Sequence, residues 1–445
     1  MNLQQQLHQA ASKLRSGDSA TALDLLRSLS DRYPTNPNVW QLRALAHKQL
    51  GEFALAEQSF QRALALDRQP STLANLGNLY RKMARPAEAI ACYDQALMAS
   101  PNDIPAQVNR GWALLDMGDH AVAEQAFATV LSQQPDRITA LTGLAQSLQG
   151  QGRQEEALDV FQSILMADPH SAAALNGMGL SLKVLGYADE AVEMLLKATR
   201  AAPESSEVYV NLASALVHAD RQEEAVAGYQ RAIELDPYNP DLHHWFNGYL
   251  GVIGHPDYLR SYRDALVRRP DSAPLATSLA RKLLLNGQGD NARRVLDDTL
   301  DYVQDDRARA DIYRELSHVL RETEQFDEAV EHARRAQRAD AENGAVLEEF
   351  ATALMAAGHY ESALAQLCSL LETRPYDQSL LALYATALRY NNRLEQYREL
   401  VDYDRMVQTR FVEPPSTFHA RADFIEYLRT ALLALHTTRQ HPVEQ

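Results

Sequence analysis

Few side chains in this sequence are spaced in a way that suggests chemistry, and the most regular are amides. Asn75, Asn109 and Asn211 stand at intervals of 34 and three times 34 residues, with Asn78 and Asn176 close by. A primary amide both donates and accepts hydrogen bonds, so a row of them at fixed pitch can hold the backbone of an extended peptide without reading its side chains. The alternative is that asparagine is simply common at a repeated position. Lys48, Arg81, Lys82 and Lys183 add cations near the ends of predicted helices. They can capture an acidic peptide or a terminal carboxylate, or complement helix dipoles at C-termini; the helix-dipole reading is preferred here.

Catalytic constellations are missing from the sequence. It contains no P-loop, no His-Glu-x-x-His, no Cys-x-x-Cys and no Gly-x-Ser-x-Gly. Gly177 and Gly179 begin a faint dinucleotide-loop pattern, but no strand precedes them. His255-Pro256-Asp257 matches the His-x-Asp element of a non-haem iron site. Such a site needs a third ligand and a β-scaffold, so the segment reads as a surface loop. His243 and His244 read as a solvated or interface feature. No residue is assigned a catalytic or metal-binding role, and no cofactor is expected in this chain.

The elements that must position these residues are set by three ladders of period 34. Pro101, Pro135, Pro169, Pro203 and Pro237 form one; Ala89, Ala123, Ala157, Ala191 and Ala225 a second; Gly77, Gly111, Ala145, Gly179 and Ala213 a third. Small residues let paired helices approach closely, and proline ends the second helix of each pair. Gly17, Gly51, Gly118, Gly152, Gly186 and Gly358 sit just after a first helix, where a left-handed cap suits glycine. The period is that of tetratricopeptide (TPR) repeats, and residues 3–403 resemble the TPR consensus. Repeats are predicted to begin near Leu3, Pro37, Pro70, Ile104, Ile138, Ala172, Ser206, Pro240, Ala273, Ala310, Gly344 and Gln378. The expected fold is all-α: a right-handed superhelical solenoid of about eleven to twelve helix–turn–helix repeats with a C-terminal helix.

The resemblance implies that first helices line a concave groove and that the five asparagines, the four cations and Trp112 face it. Trp112 is then either an anchor for a partner or a wedge between repeats. A similar asparagine ladder lines the groove of the O-GlcNAc transferase repeats. Here Gly143 and Gly177 occupy the equivalent positions in two intervening repeats, so the ladder is broken. The cations do not reproduce the full carboxylate clamp of co-chaperone repeats.

Domain organisation is read as a regular array over 3–239, a degenerate repeat or hinge over 240–272, a second array over 273–403, a linker over 404–419 and a terminal helix over 420–445. The degenerate repeat carries Gly248, Gly251, Gly254 and Pro256, which predicts short helices and a displaced turn. Its aromatics Trp245, Phe246, Tyr249, Tyr258 and Tyr262 are read as filling a wider interface, with a hinge or partner pocket as the other reading. In the terminal stretch Phe424, Tyr427, Leu428, Ala431, Leu432 and Leu435 share a helical face that either caps the array or docks elsewhere. The succession Leu400-Val401-Asp402-Tyr403, Pro414-Pro415, Ala434-Leu435-His436 and His441-Pro442-Val443 resembles the junction at which bacterial TPR arrays pass into an Fe(II)/2-oxoglutarate-dependent oxygenase domain. That resemblance implies Fe(II) and 2-oxoglutarate only in a domain beyond Gln445. The arm of a glycosyl- or sulfotransferase is a further reading.

Composition narrows the classes. Of 445 residues, 46% are hydrophobic and 23% charged, ordinary for a folded chain. The net charge of −16 argues against nucleic-acid partners. Part of that acidity has a structural source: Glu88, Glu156, Glu190, Glu224 and Glu328 share the first turn of predicted second helices. No apolar run reaches the length of a membrane span, and the N-terminus lacks a secretory pattern. Cys92 and Cys368 are expected as buried free thiols in a reducing compartment, which places the chain in the cytoplasm. The leading expectation is a non-catalytic scaffold that binds a protein or extended peptide.

Overall fold

The computed structural model describes residues 2–256 and 258–401, and every regular element among them is an α-helix. The helices form antiparallel pairs in two compact units, Met1–Arg268 and Arg269–Gln445. In the first unit repeat 1 is Leu3–Arg15 with Ser19–Arg32, repeat 2 Pro37–Gln49 with Phe53–Leu66, repeat 3 Pro70–Lys82 with Pro86–Ala99 and repeat 4 Ile104–Asp116 with His120–Gln133. Repeat 5 is Ile138–Gly150 with Gln154–Ala167, repeat 6 Ala172–Val184 with Ala188–Ala201, repeat 7 Ser206–His218 with Gln222–Leu235 and repeat 8 Pro240–Val252 with Arg260–Arg268. The second unit holds repeats 9 to 12: Ala273–Leu285 with Gly289–Leu300, Asp306–Glu322 with Phe326–Ala339, Gly344–Ala356 with Tyr360–Thr373, and Gln378–Tyr390 with Leu394–Leu400.

Local chemistry explains the helix limits. Asn36, Asp103 and Ser205 are N-caps whose side chains accept from Asn38, Ala106 and Val208 backbone N–H groups. The turn inside each repeat needs one left-handed residue. Glycine supplies it at Gly118 (φ 83°), but Ala84 holds φ 55° at the same repeat position, against the preference of an L-residue. The turn is therefore imposed by packing on both sides and only eased by glycine.

The core runs along each unit as a line of small interlocks. Tyr93 and Phe127 are wholly buried second-helix rings, lying where a Cβ on Gly77 or Gly111 would come within 2.7 Å. Leu195 takes the corresponding place against Gly179. Over most of the first unit successive first helices touch one another, as in repeats 3 and 4 or 6 and 7, and successive second helices make no comparable contact among the described residues. The first helices therefore form the inner face of the stack.

The predicted starts agree with the observed helices, with repeat 10 as the exception. Its first helix begins at Asp306, a turn before Ala310, because Asp305 caps it through the Ala308 N–H and Arg309 ties back to the Leu300 and Val303 carbonyls. In repeat 8 the first helix has its full 13 residues and only the second, with nine, is short. Cys92 is buried, but Cys368 is exposed. The linker and terminal-helix readings fall outside the described residues, as does Asp257 of the His-x-Asp element.

Candidate functional site

The inner face of the first unit carries the predicted groove residues, and the structure sorts them by whether their polar atoms are engaged. Asn109 Nδ2 donates to Asn78 Oδ1 at 3.0 Å, and that oxygen also accepts from the Tyr93 hydroxyl at 2.7 Å. Asn211 Nδ2 donates to Asn176 Oδ1 at 3.0 Å. Each pair joins the first helices of neighbouring repeats, three to four and six to seven. The amides meet diagonally, across intervals of 31 and 35 residues. A strict period of 34 does not reveal that pairing.

The cations divide in the same way. Arg81 lies 2.6 Å from the Asp116 carboxylate, and Lys183 donates to Ser214 Oγ at 3.0 Å. Lys48 and Lys82 have no carboxylate partner among the described residues; Lys82 Nζ sits 5.3 Å from the centre of the Phe53 ring. Burial, then the neighbouring Lys82 ammonium, holds the Lys48 amine below its usual pKa. Burial also lowers that of Lys183. Asn78, Arg81, Lys82, Ala84, Pro86 and Asp116 line an open recess of about 630 Å³ on this face. Asn75 is half-buried, and its side chain makes no hydrogen bond among the described residues. Trp112 is half-buried and packs edge-on against Phe127, ring centres 5.6 Å apart, which places it as a wedge beside the core of repeat 4.

The break in the ladder has a steric origin. A Cβ on Gly143 or Gly177 would lie 2.2 Å from the ring of Phe127 or Phe161, the second-helix phenylalanine of the preceding repeat. Trp245, 34 residues after Asn211 and half exposed, occupies the ladder position in repeat 8. Its spacing identifies it, but grouped with the other aromatics of that repeat it was not placed on this face.

The two histidines of repeat 8, expected as a solvated or interface feature, divide between the interior and the surface. His243 is fully buried; its Nε2 donates to the Pro237 carbonyl and its Nδ1 accepts from Ser261 Oγ, both at 3.0 Å. Asn247, also buried, donates to Ser261 Oγ at 2.6 Å and accepts from Leu259 N–H at 2.8 Å. Burial depresses the His243 pKa, so the ring is neutral. His244 is exposed. Phe246 and Tyr249 pack on Tyr229, whereas Trp245 points outward. The aromatics thus only partly fill an interface. Among the described residues no group of three or more His, Cys, Asp or Glu side chains is arranged to hold a metal ion, and no helix is long and apolar enough to cross a membrane.

A family model described as the cilia and flagella-associated protein 70 C-terminal domain matches residues 2–244. No curated protein matches the chain. Among solved structures, a tetratricopeptide repeat protein from Parabacteroides merdae is similar at 17% identity and TM-score 0.51, covering 56% of this chain and 98% of its own. A TPR protein from Thermus thermophilus matches at 23% identity and TM-score 0.38, over 41% of this chain and 98% of its own. Yeast Tom70 matches at 14% identity and TM-score 0.38, over 93% and 98%. The Parabacteroides likeness shows the fold: an all-α tetratricopeptide-type repeat stack.

Proposed function

The chain belongs to the family of the cilia and flagella-associated protein 70 C-terminal domain, and from that premise we propose that it is a non-catalytic scaffold whose first unit holds an extended, acidic protein segment along its inner face. A preformed stack lowers the ordering cost of binding such a segment. The observation that carries the reading is the Lys48–Lys82 pair. Lys48, held below its usual pKa by burial and then by the Lys82 charge, has no carboxylate partner among the described residues, and neither has Lys82, so an incoming anion relieves the pair. Asn75 and the unbonded amide N–H groups of Asn78 stand next along the same face to take backbone groups. Asn109, Asn176 and Asn211 each commit one amide atom to a neighbouring asparagine and keep the other for a ligand, while Arg81, Lys183 and Trp112 are engaged within the face.

The test is selection from a random peptide display library on the full chain, followed by fluorescence anisotropy with the peptides recovered. Acidic peptides are expected, weakened at least about tenfold by combined Lys48→Glu and Lys82→Glu and more modestly by Asn75→Ala with Asn109→Ala. Peptides that bind these variants as they bind the parent overturn the groove reading, as does failure to enrich any sequence.

The tail supports a second reading, in which these residues are the substrate-recruiting arm of a longer Fe(II)/2-oxoglutarate oxygenase. It rests on the short motifs around Ala434-Leu435-His436 and His441-Pro442. Sequencing the encoding frame past Gln445 decides it: a β-rich segment with His-x-Asp and a distant His supports the arm, and a stop codon removes it.

A further inference from the structure

Repeat 8 opens a cleft on the outer side of the first unit, away from the first-helix groove. Its second helix has nine residues where that of repeat 7 has fourteen, roughly 7.5 Å less helix at 1.5 Å per residue. The space left between Gln222–Leu235 and Arg260–Arg268 is a cavity of about 490 Å³, within the range of about 300–1,000 Å³ usual for small-molecule sites. Phe246 and Leu250 form its floor, Val226 and Ile233 one wall and Ala265 the other. The short helix is pinned to that floor by the His243–Ser261–Asn247 network, so the cleft is preformed rather than collapsible.

The charges at its mouth define the missing partner. Glu234 pairs with Arg231 at 3.0 Å, and Asp264 lies 3.5 Å from Arg260. His255, at the rim, is engaged within the chain. Arg268 lines the same mouth, is exposed, and has no carboxylate partner among the described residues. We propose that this cleft binds a small amphiphilic anion, with its apolar body on Phe246, Leu250, Val226 and Ile233 and a single carboxylate or sulfonate head on the Arg268 guanidinium. A guanidinium fork matches a planar carboxylate through two parallel hydrogen bonds. The ligand chemistry differs from that of an extended acidic peptide, and the site stands whether or not the groove binds one.

The experiment uses the full chain, with decanoate in titration calorimetry and anilinonaphthalene sulfonate as a fluorescent competitor. One saturable site is expected, from which decanoate displaces the fluorophore. Gln230→Trp, which fills the cleft from an exposed wall position, is expected to abolish binding. Arg268→Glu is expected to weaken decanoate about tenfold or more and leave the neutral analogue decanol unchanged. Circular dichroism melts identical to the parent show that both variants fold. Absence of saturable decanoate binding, or undiminished binding by Gln230→Trp, overturns the site. Equal affinity for decanoate and decanol overturns the role of Arg268.

Discussion

Completing the amide row at Gly177 is expected to damage the fold. In Gly177→Asn the new Cβ would lie 2.2, 2.6 and 2.8 Å from three carbons of the Phe161 ring. Ordinary contact begins at 3.4 Å, so ring and helix must separate by about 1.2 Å to restore it. Phe161 is wholly buried and cannot swing aside without leaving the core of repeat 5. Overpacking of this kind costs about 1–3 kcal/mol. The better helix propensity of asparagine over glycine returns only a few tenths of a kcal/mol. A net loss of about 1–3 kcal/mol is expected, read as a lower urea midpoint by far-ultraviolet circular dichroism. Midpoint and slope are compared together, because repeat stacks need not unfold as one transition. Phe161→Leu supplies the second arm of a double-mutant cycle, where a coupling of about 0.5–3 kcal/mol is expected. An unchanged midpoint in Gly177→Asn, or an equal loss in the Phe161→Leu background, would refute the steric account of the broken ladder.

Two further perturbations address other parts of the molecule. In the second unit Arg281 donates to both oxygens of Glu315, from Nη2 to Oε2 at 2.6 Å and from Nε to Oε1 at 2.9 Å, and Glu315 is only 1% exposed. Arg281→Leu should destabilise that unit by about 2–3 kcal/mol, below the roughly 3–5 kcal/mol of a fully buried broken pair, because the guanidinium is half exposed and water partly replaces it. Adding Glu315→Leu should recover most of the loss; a double variant no more stable than the single one would contradict this. Protonation of the buried His243 gives the first unit a pH signature. Its folded pKa lies below the unfolded value of 6.5, so the unfolded chain binds the proton first and stability falls as pH drops below about 6.5. His243→Gln should flatten that decline relative to the parent between neutral pH and the depressed folded pKa; parallel stability curves would show that His243 is not the titrating group.

The fold was legible because small residues and prolines recur wherever two helices must touch or a helix must end. Gly77 and Ala89, or Pro101 after Ala99, carry that information in residue type alone. Repeat 10 escaped it because an aspartate cap and an arginine tether, rather than the ladder, set where its helix begins. The candidate site was less legible for a physical reason. Periodicity assigns a residue to a face but not its side chain to a partner, and Asn78 with Asn109, or Asn176 with Asn211, meet across registers that do not share a ladder. Lys48 and Lys183 hold the same repeat position, yet only Lys183 finds a hydroxyl. The buried network of His243 was missed because a histidine on a helix looks the same in sequence whether its ring faces water or a backbone carbonyl.

The placement of Phe127 and Phe161 bears on how a gene of this kind can change length. Within each repeat the residue facing the second-helix core side chain is small throughout the regular array, as at Gly77, Gly111, Ala145, Gly179 and Ala213, and where it is glycine the second helix presents a tyrosine, a phenylalanine or a leucine to it. Across the boundary to the next repeat the facing residue is matched locally: Gly143 to Phe127 and Gly177 to Phe161. A recombination joint at the repeat boundary could set Asn211 against Phe127 and would have to be repaired. A joint at the turn inside a repeat, beside Gly118 or Gly152, keeps Phe127 with Gly143 and Phe161 with Gly177. The heritable module is then a second helix together with the first helix that follows it, half a step out of phase with the repeat as it is drawn.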